Sequence, residues 1–211
     1  MPQKINNNWS RVVDSDLRAR LLTTAQTAYK NACSLVLDAK VLFDAQRFPR
    51  AGALAILAEE EYAKSFVLCI CACNGRWDSE IFRALTDHGS KQAISQGMIV
   101  YWEWLQTNLR RVAELNRCSF VGVQPTLFPS QEEWSELIEQ TRISNIKKRK
   151  RDKLKQRFFY VGVGREGHAI QCPTALSSNA ASKCIVEAST FKSVTELALA
   201  EQIPTFKPIT G

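Results

Sequence analysis

From Asp14 to Cys73 apolar residues return every three or four positions, and the pattern is interrupted once, at Arg47-Phe48-Pro49. That period sets Leu17, Leu21, Leu22, Ala25, Ala28, Ala32, Leu35, Val36, Ala39 and Leu42 along one side of a helix, the side that has to be buried. The spacing predicts a first helix from Asp14 or Ser15 to about Ala45. Pro49, which lacks an amide hydrogen, suits the first position of a second helix running through Ala53, Leu54, Ile56, Leu57 and Val67 to about Cys73. So short a connection folds the two helices back on each other as an antiparallel hairpin. A chain that begins this way is committed to a mainly α fold.

Beyond the hairpin, Asn74-Gly75 supplies a left-handed helix end, and Asp78 or Ser79 caps a third helix with Ile81, Phe82 and Leu85 on its apolar side. Gly89-Ser90 is expected to bend the chain before a further helix from Lys91 to about Leu115. Tyr101, Trp102 and Trp104 on that helix read as core or as a dimer face, because helical spacing serves packing before base stacking. Cys118 to Pro129, with two prolines and a glycine, is a loop. Ser130-Gln131-Glu132-Glu133 is a capping box that opens a helix through Trp134, Leu137, Ile138 and Ile146 into a basic segment.

The periodicity then changes. Phe158 to Val163 and His168 to Cys172, separated by Gly164-Arg165-Glu166-Gly167, are expected to pair as a β-hairpin. Pro173 ends the second strand, Asn179 to Ala200 is a closing amphipathic helix, and Pro204 to Gly211 is a loose tail. The organisation expected is an N-terminal tail (1–13), a helical bundle ending in a basic helix (14–157), a β-hairpin with a C-terminal helix packed on the bundle (158–200), and a tail (201–211).

A chain of 211 residues buries a core without disulfides, and seven cysteines cannot form a fully paired framework. A reduced, cytoplasmic setting is the expectation. Cys69, Cys71 and Cys73 are spaced by single residues, unlike zinc-ligand spacing, and read as small buried side chains, with no metal expected. Met1 to Trp9, with three consecutive asparagines, resembles neither a signal nor a transit peptide, and no apolar stretch approaches membrane-spanning length.

Charge is concentrated. Lys147, Lys148, Arg149, Lys150, Arg151, Lys153, Lys155 and Arg157, against Asp152 alone, account for the whole net charge of +7. Such a strip can track a phosphate backbone with salt-sensitive affinity, or it can be a solvated helix end that needs no partner.

Between the apolar runs stand Arg83-Ala84-Leu85-Thr86-Asp87-His88 and then Lys91. A fixed cation beside a titratable imidazole is what strand cleavage of RNA requires, one group to hold a phosphate and one to move a proton. The same spacing of Arg83, Asp87 and Lys91 also fits a solvated salt-bridge ladder. On the second helix, Glu60 and Lys64 lie one turn apart. They form either a self-contained ion pair or, if that face meets the third helix, a carboxylate that orients Arg83, His88 or Lys91. His168, without a neighbouring ligand set, reads as an exposed strand residue. No P-loop, dinucleotide fingerprint or Ser/His/Asp order is present, which removes support for kinase, dehydrogenase and hydrolase chemistry.

Arg83-x4-His88 after two long helices resembles the HEPN superfamily, all-α domains in which an Arg-x(4–6)-His motif marks metal-independent ribonucleases. Leu54-Ala-Ile-Leu-Ala-Glu-Glu-Glu-Tyr-Ala-Lys64, then Asp87-His88-Gly-Ser-Lys91, then Phe159-Tyr160-Val161 with Pro173 and a closing helix, is similar to the AbiV type of abortive-infection protein. The resemblance spans roughly residues 25 to 200. It implies a HEPN-like antiparallel helical bundle, with Arg83 and His88 as the catalytic pair and Glu60, Lys64, Asp87 and Lys91 in support. It further implies an anti-phage endoribonuclease toxin that needs no cofactor, assembles as a homodimer, acts on cellular or phage RNA, and answers to an antitoxin or a phage-encoded trigger.

One subunit supplies a single histidine at the motif, whereas cleavage by 2′-hydroxyl attack needs both a base and an acid; a two-fold dimer provides both. Residues five apart on an unbroken helix diverge by about 140°, so a bend near Gly89 would help Arg83 and His88 converge. The residue after the arginine is Ala84, where many active members of the superfamily carry a polar side chain. It motivates a second reading, a non-catalytic HEPN-like module that sequesters a translation component or a phage protein. A third is a helical adaptor whose basic strip only solubilises.

Overall fold

The computed structural model describes residues 9–86, 88–118, 130, 132–133, 135–137, 139, 150–159, 162–163, 166, 169–171 and 177–209. In chain order they form β1 (Ser10–Val12), α1 (Ser15–Asp44), α2 (Phe48–Asn74), β2 (Arg76–Asp78), α3 (Ser79–Thr86), α4 (His88–Cys118), α5 (Lys150–Phe159), β3 (Gly162–Val163), β4 (Ala169–Gln171) and α6 (Ser178–Gln202). The chain is mainly helical, as its periodicity predicts. Among the described residues no helix is long and apolar enough to cross a membrane.

The first helix starts where the Asp14 carboxylate accepts the Leu17 amide at 2.8 Å, a side-chain cap on an otherwise unpaired N–H. It stops at a three-residue turn. Gln46 adopts φ 59°, its amide donates to the Phe43 carbonyl at 2.9 Å, and the Arg47 amide reaches the Leu42 carbonyl at 2.7 Å. These two bonds close a Schellman motif, with glutamine in the left-handed position that glycine usually fills. Across the turn the rings of Phe43 and Phe48 meet edge to face at 5.2 Å, and Pro49 stands in the first turn of α2.

The hairpin seam is built from small residues. Ala25, Ala32 and Ala39 on α1 are spaced by seven and fully buried, and Ala51, Ala55 and Ala58 on α2, spaced by four and three, are fully buried too. Small side chains let the helix backbones approach closely enough for a side chain of one to reach the main chain of the other. Ser65 Oγ donates to the Ala25 carbonyl at 2.7 Å, and Tyr62 OH donates to Cys33 Sγ at 3.4 Å. Pairs nested in this order about the turn are those of antiparallel helices.

The closing helix lies on the same hairpin, where Thr195 Oγ1 shares its proton between the Phe191 carbonyl of its own helix (2.8 Å) and the Tyr62 carbonyl of α2 (3.3 Å). Helix α2 also touches α4 and α5, so the core gathers around it. Near residue 130 the expected capping box is present: the Ser130 amide donates to Glu133 Oε2 at 2.7 Å and the Glu133 amide to Ser130 Oγ at 3.2 Å. The Trp104 indole N–H donates to Glu133 Oε1 at 3.2 Å and ties this segment to α4.

Four expectations change. The stretch before residue 14 is not all tail, since Ser10–Val12 pairs antiparallel with Arg76–Asp78. The helix expected to begin after a bend at Gly89-Ser90 instead begins at His88 and runs through both residues, while α3 ends at Thr86. Phe158 and Phe159 close helix α5 rather than opening a strand; Phe158 is 1 % exposed in a notch on α2, and that burial outweighs the strand preference of adjacent aromatics. Among the described residues the expected β-hairpin pairs Gly162–Val163 with Ala169–Gln171. The segment after residue 203 is docked: Phe206 packs edge to face on Tyr29 at 5.3 Å, the Ile209 amide donates to Tyr29 OH, and Lys192 Nζ donates to the Ile209 carbonyl.

Candidate functional site

Helix α3 is short and held at its start by a strong cap. Asp78 Oδ1 accepts the amides of Glu80 and Ile81, both at 2.9 Å, while Oδ2 accepts Arg76 Nε at 2.6 Å. The Ile81 amide bond, reinforced by the Arg76 guanidinium, holds the Asp78 carboxyl below its ordinary pKa of 3.8. Leu85 is buried, while Phe82, Arg83 and Thr86 face solvent. Arg83 thus stands exposed in the last turn of the helix, where a cation is favoured by the exposed carbonyl ends. Its guanidinium makes no hydrogen bond or ion pair among the described residues.

His88 is the first residue of α4, so the Arg83-x4-His88 motif straddles a helix break. The side chains of His88 and Lys91 lie outside the described set, as does Asp87 entirely. His168, Tyr160, Val161 and Lys147 to Arg149 also lie outside it.

The polar run of α2 is arranged differently from either sequence alternative. Lys64 pairs with Glu61. Glu60 takes neither Lys64 nor Arg83: its Oε1 accepts Lys155 Nζ of α5 at 2.5 Å, with side chains 7 % and 12 % exposed respectively. Glu59 is buried as well. Lys155 is therefore removed from the solvent-facing strip and serves as an internal tether. Spacing gave no sign of this pairing, because Glu60 and Lys155 are separated by 95 residues and only packing brings them together.

Next to the tether, Phe158 fills the space left by Gly52. The basic helix is thus fixed to α2 by an ion pair and by a ring in a notch. Of the cations on α5 with described side chains, Arg157 is exposed; the side chains of Lys150, Arg151 and Lys153 lie outside the described set.

Cysteine placement follows expectation in part. Cys69 and Cys71 are buried, and burial pushes both thiols up to about 12. Cys73 is exposed, because it falls on the outer side of the last turn of α2. Among the described residues no group of three or more His, Cys, Asp or Glu side chains could hold a metal ion. A separate cavity of about 250 Å³, lined by Cys33, Tyr62, Lys192, Glu196 and Ile209 among others, opens between α1 and α6 and includes neither Arg83 nor Glu60. Beside it, burial together with the bond from Tyr29 OH to Glu196 (2.5 Å) raises the Tyr29 phenol well above its usual range.

No curated protein and no solved structure matches the sequence. The family model of AbiV, within the HEPN group, matches residues 20–191, a span that runs from α1 through the Arg83/His88 break and the Glu60–Lys155 tether into α6. With most of its length inside that match, the chain belongs to the AbiV family of HEPN proteins.

Proposed function

We propose that this protein is an anti-phage abortive-infection toxin acting as a metal-independent endoribonuclease. Arg83 and His88 from each of two subunits would face a shared cleft. The observation that carries this reading is the placement of the motif: Arg83 projects into solvent from the last turn of α3, and His88 opens α4 immediately beyond the break.

In this mechanism one His88 imidazole takes the proton of a ribose 2′-hydroxyl, and the 2′-oxygen attacks the adjacent phosphorus. The P–O5′ bond breaks as the partner subunit's His88 gives a proton to the departing 5′-oxygen. The products are a 2′,3′-cyclic phosphate and a 5′-hydroxyl. Arg83 stabilises the charge that develops on the phosphorane, where a fixed cation contributes most. Glu60 has no direct part; it acts through Lys155 to hold α5 in place. Lys64, Asp87 and Lys91 remain supporting positions, and the exposed part of the basic strip adds sequence-independent affinity for RNA.

Expression of wild-type protein should arrest growth with appearance of cyclic-phosphate RNA ends. Arg83→Ala and His88→Ala should each abolish both effects while leaving circular dichroism and dimer mass unchanged. Purified protein that cuts no cellular RNA under conditions where it blocks growth would remove the enzymatic reading. A His88→Ala variant that still arrests growth would favour sequestration of a translation component or phage protein, the reading that Ala84 motivates.

A further inference from the structure

Away from the basic strip, three aromatic rings gather where the N-terminal strand meets α3. The Trp9 and Trp77 centroids are 6.1 Å apart, Trp9 and Phe82 6.2 Å, and Trp77 and Phe82 6.4 Å. Strand register explains the gathering. Arg11 is directly opposite Trp77, and the ladder continues outward through the Ser79 amide to the Trp9 carbonyl at 2.9 Å. Residues opposite one another, and residues two apart on one strand, share a face of the ribbon, so Trp9, Arg11 and Trp77 lie on the same side.

The rings are not equivalent. Trp77 packs against the core and anchors the group, whereas Phe82 remains 49 % exposed. Arg11 places its guanidinium carbon 5.8 Å from the Trp9 ring centroid. Arg76 belongs to the opposite face of the ribbon, where Asp78 and Glu80 hold it. Of the three rings Phe82 is the exposed one, and the cation seated beside the group is Arg11, over Trp9.

We propose that Trp9, Phe82 and Arg11 form a stacking platform for unpaired bases of single-stranded RNA, which delivers the adjoining phosphate to Arg83. The inference rests on the RNA-directed reading above and adds the class of substrate. Aromatic rings flanked by guanidinium groups match the alternating π-faces and phosphates of a nucleic-acid strand. A duplex keeps its base faces stacked inside, so only unpaired nucleotides can use such rings. Arg83 follows Phe82 on the same helix and points about 100° further round it, so a base on the ring and a phosphate at the guanidinium would be held on neighbouring faces of α3.

The test uses full-length protein carrying His88→Ala, so that RNA stays intact, and a short fluorescein-labelled oligoribonucleotide read by anisotropy. The parent should bind the single strand more tightly than a duplex of the same sequence. Phe82→Ala and Trp9→Ala should each weaken single-strand binding by about five- to a hundredfold, whereas Phe82→Tyr, which keeps the ring, should bind as the parent does. Phe82 is half exposed, and its alanine variant should stay folded with a modestly lower melting transition.

A folded Phe82→Ala protein that binds as tightly as its parent overturns the platform, and cleavage by the Arg83/His88 pair would stand unaffected. Equal affinity of the parent for duplex overturns it too. Conversely, if wild type cuts no RNA yet ring-dependent binding persists, the platform stands and the cleavage reading falls.

Discussion

The ring of Phe158 lies against the bare Cα of Gly52, so close that a Cβ at that position would meet Phe158 Cζ at 2.6 Å. Phe158 is 1 % exposed, so its ring can yield only by shifting within the core or giving up its burial. Gly52→Ala improves helix propensity by up to about 1 kcal/mol but overpacks the notch at a cost of about 1–3 kcal/mol. The expected result is a lower urea midpoint for Gly52→Ala. Adding Phe158→Leu should recover part of the loss, which a double-mutant cycle would register as coupling between the two positions.

Lys155 should behave unlike its neighbours on the basic helix. Replacing it by methionine leaves the buried Glu60 carboxylate without its partner, a change that costs about 3–5 kcal/mol. Arg157→Gln, at an exposed position, should leave stability nearly unchanged and reduce the salt dependence of RNA binding by about one phosphate contact. Chemical denaturation and salt titration of binding separate the two roles.

Gln46 occupies a backbone conformation that suits glycine. The left-handed region costs a residue with a Cβ about 1 kcal/mol or more. Gln46→Gly should therefore raise the melting temperature, even though glycine is also more flexible in the unfolded chain. A fall in melting temperature would show that the glutamine side chain contributes more than its backbone costs.

Asp78 gives the start of α3 an acid dependence of defined sign. Its folded-state pKa lies below the ordinary 3.8, so its stabilisation is complete above that value and is lost as pH falls below it. Asp78→Ala should cost about 1–2 kcal/mol at neutral pH, with the difference from wild type shrinking as pH drops through that window. Asp78→Asn, which keeps an acceptor for the Glu80 and Ile81 amides, should retain most of the helix with a flatter acid profile. Stability measured across acidic pH tests all three.

The hairpin was legible because burial of α1 and α2 is written in a three-four period, and their ends in Asp14, Pro49 and Gly75, each suited to its position by backbone chemistry. The turn between them was less so, since Gln46 is not the residue expected at a left-handed site. Pairing of Ser10–Val12 with Arg76–Asp78 escaped notice because three residues carry too little alternation to mark a strand. At the site, Arg83 and His88 could be picked out by local spacing. The partner of Glu60 could not, since an ion pair across 95 residues depends on how helices stack. The aromatic group was hidden for the same reason: Trp9, Trp77 and Phe82 converge only after the strands pair.

Two hydroxyls, Ser65 on the Ala25 carbonyl and Thr195 on that of Tyr62, rivet three long helices to one another through main-chain atoms. Sliding α1 past α2 by a helical turn would strand the buried Ser65 hydroxyl, whereas Thr195 would keep its bond to the Phe191 carbonyl of its own helix. The Ser65 and Thr195 bonds thus join α1, α2 and α6, and the helices that carry Arg83 and His88 lie outside that trio.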